Sequence, residues 1–134
     1  MGLLDIFKSK KANYKELLIG ELNEIKSQYP TIPFYGTVLD FINKHDDNEW
    51  NSYFTKNPQK SPRVYLASML SNVISDYLES GQFHIYRGVL NPDGENMMKL
   101  LINLLDIQKN SGEINAASVQ KYLSDLRNNI ANVG

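Results

Sequence analysis

The chain has 134 residues and no cysteine, which excludes disulfides, a thiolate nucleophile and cysteine-ligated zinc. Its two histidines, His45 and His84, stand far apart and form no short-range ligand pair. No metal site and no cofactor is therefore expected. Charge of one sign is also missing. Fourteen basic residues meet fifteen acidic ones, so the net charge is −1 and the positive field that would draw a nucleic acid is absent. No apolar run approaches the eighteen or so residues needed to span a bilayer. Eight glycines and five prolines are too few for a low-complexity chain, and no period of 20 to 50 residues repeats. The motifs G-x-G-x-x-G, the phosphate-binding loop ending in Lys-Ser or Lys-Thr, H-E-x-x-H and G-x-S-x-G do not occur. With none of them, no catalytic residue is assigned.

What is present is enough apolar residue for a core. The hydrophobic share is 42% and the charged share 22%, and the length is that of one ordinary domain. Helical spacing dominates. Leu18, Leu22, Ile25 and Tyr29 line one face of a helix that Asn13 caps and Pro30 ends. Phe34, Val38, Phe41 and Ile42 repeat the pattern over Pro33 to Lys44. Asp46 and Asp47 cap a short helix with Trp50, Tyr53 and Phe54, closed by Asn57 and Pro58. Ser61 and Pro62 open the clearest helix, with Leu66, Leu70, Val73, Tyr77 and Leu78 reaching Gly81 at its C-terminal turn. On this helix Ser68, Ser71, Asn72, Ser75 and Asp76 are expected to face water. Asn91 and Pro92 start another helix, carrying Met97, Met98, Leu101, Leu104, Leu105 and Gln108 to Asn110, Ser111 and Gly112. A last one from about Asn115 presents Val119, Tyr122, Leu123, Leu126 and Ile130. The expected fold is all-α: residues 12–134 form a single compact domain of five or six helices, with at most one short extended segment near residues 83–87. Residues 1–11 are set apart as an N-terminal amphipathic segment.

Three places invite a functional reading. Between two strong helices, Phe83 to Glu95 gathers aromatics, a histidine, an arginine, glycines and a proline. There His84, Tyr86 and Arg87 offer a proton carrier, a phenol and a fixed cation to an anionic ligand or a partner's carboxylate. The plainer alternative is a packed loop in which Phe83 and one of Ile85 and Tyr86 fill the core. In the short aromatic helix, Trp50, Tyr53 and Phe54 cannot all face one core, so Trp50 and Tyr53 are candidate contact residues for a protein partner or a second copy. In the opening segment Leu3, Leu4, Ile6 and Phe7 precede Lys8, Lys10 and Lys11, the reverse of the order in a secretory signal. That segment offers either weak membrane attachment or a helix docked on protein. Ile6 stands where an N-myristoylation pattern needs Ser or Thr.

The segment DIQKNSGEINAASVQKYL, from Asp106, resembles the loop and outgoing helix of an EF-hand, with Gly112 at the turn and Ile114 as the central aliphatic residue. In that frame Ile107 and Lys109 fall where side-chain oxygens belong, and Ser118 falls where a bidentate glutamate should close the cage. Starting the frame at Asp106 recovers Asp106, Gln108 and Asn110 but puts the glycine one residue late and Ala117 at the closing position. Neither frame builds a cation cage, so a helix–turn–helix joint is expected.

Together these point to a non-enzymatic, cytoplasmic, α-helical binding or regulatory protein acting through protein–protein contacts, with a homodimer among the possibilities. The alternatives are a small-molecule or enzymatic site around His84, Tyr86 and Arg87, or a peripheral membrane adaptor using residues 1–11. Millimolar calcium, or a chelator, is expected to leave the melting temperature unchanged; clear stabilisation by calcium would mean that the Gly112 loop holds the ion after all.

Overall fold

In a computed structural model of the chain, residues 13–86 and 88–133 are described, and among them are six helices and one two-stranded hairpin. The helices are α1 (Tyr14–Gln28), α2 (Tyr35–Lys44), α3 (Asp47–Lys56), α4 (Pro62–Glu79), α5 (Pro92–Asn110) and α6 (Ala116–Ala131). The hairpin pairs β1 (His84–Tyr86) with β2 (Val89–Leu90), antiparallel. The fold is thus all-α, with its extended segment beginning where expected and continuing through a turn to Leu90. The N-terminal segment 1–11 lies outside the described residues. None of the described helices is long and apolar enough to cross a membrane.

Helix starts follow from side chains that accept the otherwise unpartnered N–H groups of a first turn. Asn13 accepts from Glu16 N–H at 3.0 Å, Asn91 from Gly94 N–H at 2.8 Å and Asn115 from Ser118 N–H at 2.8 Å. Ser61 Oγ accepts from Val64 N–H at 3.2 Å, with Pro62 behind it. At α3 the exchange is mutual: Glu49 N–H donates to Asp46 Oδ1 at 2.8 Å, and Asp46 N–H donates to Glu49 Oε1 at 3.2 Å. Only α2 among these lacks a side-chain cap, because Phe34 occupies the position. It begins at Tyr35, two residues later than the start expected at Pro33.

The chain divides into two compact units, one through Leu66 and one from Ala67 onward, and the division falls within α4. In the first, α1 packs on both α2 and α3. Leu18, Leu22, Ile32, Phe34, Tyr35, Val38, Ile42, Trp50 and Phe54 are buried. Tyr35 replaces Phe41 in the expected buried set, and Phe41 is 41% exposed. The Tyr35 hydroxyl donates to the Tyr29 carbonyl at 2.8 Å, closing the end of α1.

In the second unit Leu70, Ile74, Leu78, Met97, Leu101, Leu104 and Leu126 are among the buried side chains. Ser71, expected on the wet face of α4, is buried instead. Its Oγ donates to the Ala67 carbonyl at 2.8 Å and accepts from Gln108 Nε2 at 3.0 Å. Ser75 Oγ donates to the Ser71 carbonyl at 2.8 Å, and the Tyr122 hydroxyl, 3.2 Å from the same carbonyl, shares its one hydrogen between that carbonyl and Ser75 Oγ. This small polar network ties α4 to α5 and α6 and explains why a serine is tolerated inside. The α5–α6 joint is a Schellman turn. Gly112 has φ +84°, its N–H donates to the Lys109 carbonyl at 3.0 Å, and Glu113 N–H donates to that of Gln108 at 3.1 Å.

Gly94, in the first turn of α5, sits where a Cβ would lie 2.8 Å from the Phe83 carbonyl oxygen and 3.1 Å from Leu90 Cβ. Backbone cannot retreat as a flexible side-chain tip can. Gly94→Ala is therefore expected to destabilise by about 1–3 kcal/mol despite alanine's better helix propensity, read from denaturant midpoints. A neutral or stabilising result would mean that hairpin and helix do not pack this closely.

Burial, with Tyr29 adding to it, pushes the Tyr35 phenol up to about 12 from the ordinary 10.0; burial followed by Tyr53 raises Tyr65 as well. The unfolded chain gives up these protons at lower pH than the folded chain does. Stability is consequently full below pH 10 and is lost as pH climbs toward 12. Melting temperature should fall across that window, and Tyr35→Phe should remove the latest step of the tyrosinate absorbance titration; a wild-type titration without a late step would contradict the burial argument.

Candidate functional site

The hairpin is built from short pieces. A bulge between His84 and Tyr86 sets His84 opposite Leu90 and Tyr86 opposite Val89, leaving Ile85 as the extra residue. The alternation of faces breaks there, so two successive side chains turn outward. Ile85 is 71% exposed and Tyr86 73%, and Val89 opposite is 51% exposed. Among the described residues of the run Phe83 alone is buried, against Tyr77 at a ring distance of 5.7 Å. Gly88, at φ +73°, brings the turn so near the end of α6 that a Cβ would lie 3.1 Å from Ala131 Cα.

His84 has a different place from the one expected. Its Nε2 is 3.0 Å from the Leu78 carbonyl, which can only accept, so Nε2 carries the hydrogen. The imidazole closes the C-terminal turn of α4, and its Nδ1 is buried with no hydrogen-bond partner. Tyr86 points away into solvent, and Arg87 lies outside the described residues. His84 and Tyr86 are therefore not assembled as a proton carrier and phenol facing one ligand.

Trp50 also departs from expectation. It is 4% exposed, and its indole N–H donates to the Ile42 carbonyl at 2.9 Å, satisfying an end of α2. A side chain so enclosed is not a surface anchor for a partner. Tyr53, the other residue of that pair, is half-buried. Around Trp50 stand Tyr65 at 5.6 Å, His45 at 5.6 Å, Phe41 at 6.2 Å and Tyr53 at 6.5 Å between ring centroids, each turned 72° to 85° from the indole plane. These rings and Glu49 line an open hollow of about 200 Å³. Glu49 accepts at Oε1 from Asp46 N–H, and its Oε2 is 3.0 Å from His45 Nδ1. The His45 contact, then the Asp46 N–H, hold the Glu49 carboxyl below its ordinary range, so it is ionised at neutral pH.

Sequence reasoning missed this hollow. Trp50 and Tyr53 stand out within their own helix, but Tyr65 comes from the next helix and Phe41 from the previous one, and no periodicity within one helix reveals that they meet. The one local signal was the spacing of His45 and Glu49 across a capping box.

Among the described residues no group of three or more His, Asp or Glu is gathered to hold a metal ion. Compared with protein-family models, curated proteins and solved structures, the chain shows no significant match.

Proposed function

We propose that this protein is a non-enzymatic helical binding protein that works through protein contacts, with the outer face of the β1–β2 hairpin as its contact surface and a second copy of the chain as its first partner. The observation that carries this reading is the side-by-side exposure of Ile85, Tyr86 and Val89, three large apolar side chains that are each more than half open to water. Adjacent exposed apolar residues on paired strands are costly to leave wet and are a common mark of an interface. A two-stranded sheet also leaves N–H and C=O groups along its outer edges, and these can pair with another strand. A net charge of −1 sets little electrostatic repulsion between copies. The lack of cysteine fits a reducing compartment, and the cytoplasm is where the reading places it.

Sedimentation over rising concentration should shift the mass from 15.3 kDa toward twice that value. Exchanging Ile85 and Tyr86 together for serine should return it to monomer with the helical circular dichroism intact. A chain that stays monomeric at high micromolar concentration, or an unchanged dimer in the double variant, would remove the hairpin from this role.

A further inference from the structure

We propose that the aromatic hollow formed by α2, α3 and the first turn of α4 binds the quaternary ammonium group of a small molecule. Its lining is unusual for its chemistry more than for its size. Trp50 forms the floor: it is 4% exposed, its only hydrogen-bonding atom is spent on Ile42 and one ring face is stacked on Phe54 at 6.2 Å, so most of the open ring surface comes from its neighbours. Phe41, Tyr53 and Tyr65 stand close to perpendicular to it and add further ring surface, and the Glu49 carboxylate sits at the rim.

Three classes of occupant can be compared on these features. An anion would face the electron-rich ring faces and a carboxylate. A neutral apolar group would gain contact area but would take water from Glu49 without replacing it. A cation gains from both rings and carboxylate. Among cations, a primary ammonium brings N–H groups that need acceptors, and ring faces are poor ones. A fully methylated ammonium has no N–H to satisfy and loses least on entry. His45 and Lys15 already favour the charged form of Glu49, so the carboxylate contributes direction at the rim and the rings contribute the attraction. Beyond Glu49 and Tyr53 the surface is shallow and polar, with Ser52, Lys56 and Asn57 beside them.

Trp50 is the only tryptophan of the chain, so its fluorescence reports this hollow without interference. Titrating the whole protein with choline should give a saturable change with a half-point of roughly millimolar or tighter. The neutral isostere 3,3-dimethyl-1-butanol should bind at least about tenfold more weakly, since it keeps the shape and loses the charge. Tyr65→Phe, which keeps a ring, should retain binding, and Tyr65→Leu should lose it. Should Tyr65→Leu fail to fold, the comparison of choline with its isostere on the unaltered protein still decides. No saturable response to choline, or equal binding of the isostere, overturns the proposal. Binding to phosphatidylcholine vesicles without binding to free choline overturns it too, because the occupant would then be a lipid surface.

Discussion

Every α-helix ends with carbonyl groups that have no partner within the helix, and the way this chain satisfies them determines much of the rest. The donors come largely from side chains downstream of the end they close. The Tyr35 hydroxyl reaches the Tyr29 carbonyl after α1, the Trp50 indole reaches Ile42 in α2, Asn57 Nδ2 reaches Tyr53 in α3, and His84 Nε2 reaches Leu78 in α4. Each bond fixes where the next segment starts and which way a large ring faces. Trp50 is drawn inward by it and ceases to be a surface residue. His84 is turned back toward α4 and ceases to be a free imidazole beside Tyr86. Both side chains thus also close a helix end in the folded chain.

Helix beginnings, by contrast, were legible. Asn13, Asp46 with Glu49, Ser61 with Pro62, Asn91 with Pro92, and Asn115 each carry their cap within three residues of the group they bind, so local sequence contains the whole interaction. The Gly112 stop was legible for the same reason. The start of α2 was not, because Phe34 makes no side-chain bond there and the proline at 33 was the only visible signal. Ser71 was misplaced on the wet face because its partner, Gln108, is 37 residues away. Helical periodicity sorts residues by polarity and has no means of anticipating that two polar groups will meet in the interior.

The hairpin shows a subtler limit. Its run of β-formers was visible, and so was the choice between Ile85 and Tyr86 as core residues. A bulge removed the choice by turning both outward, and a bulge leaves no simple mark in sequence when its extra residue is an ordinary isoleucine. Gly94 then allows Phe83 and Leu90 to come down on α5, so the inner side of the hairpin is closely packed while its outer side stays wet.

The shapes of the two candidate surfaces argue for different kinds of occupant. Ile85, Tyr86 and Val89 lie side by side on two paired strands, each more than half open to water, with no enclosed space among them for a small molecule. A partner with its own flat or grooved face can cover all three at once, and the apolar area removed from water sets the gain. The hollow at Trp50 is concave, and its rings are already held by one another and by the Ile42 carbonyl. A ligand there would not have to order the rings, so it would be spared much of the entropy cost that usually weakens small-molecule binding. That preorganisation, more than the volume of the hollow, is what separates a recognition site from a gap between helices.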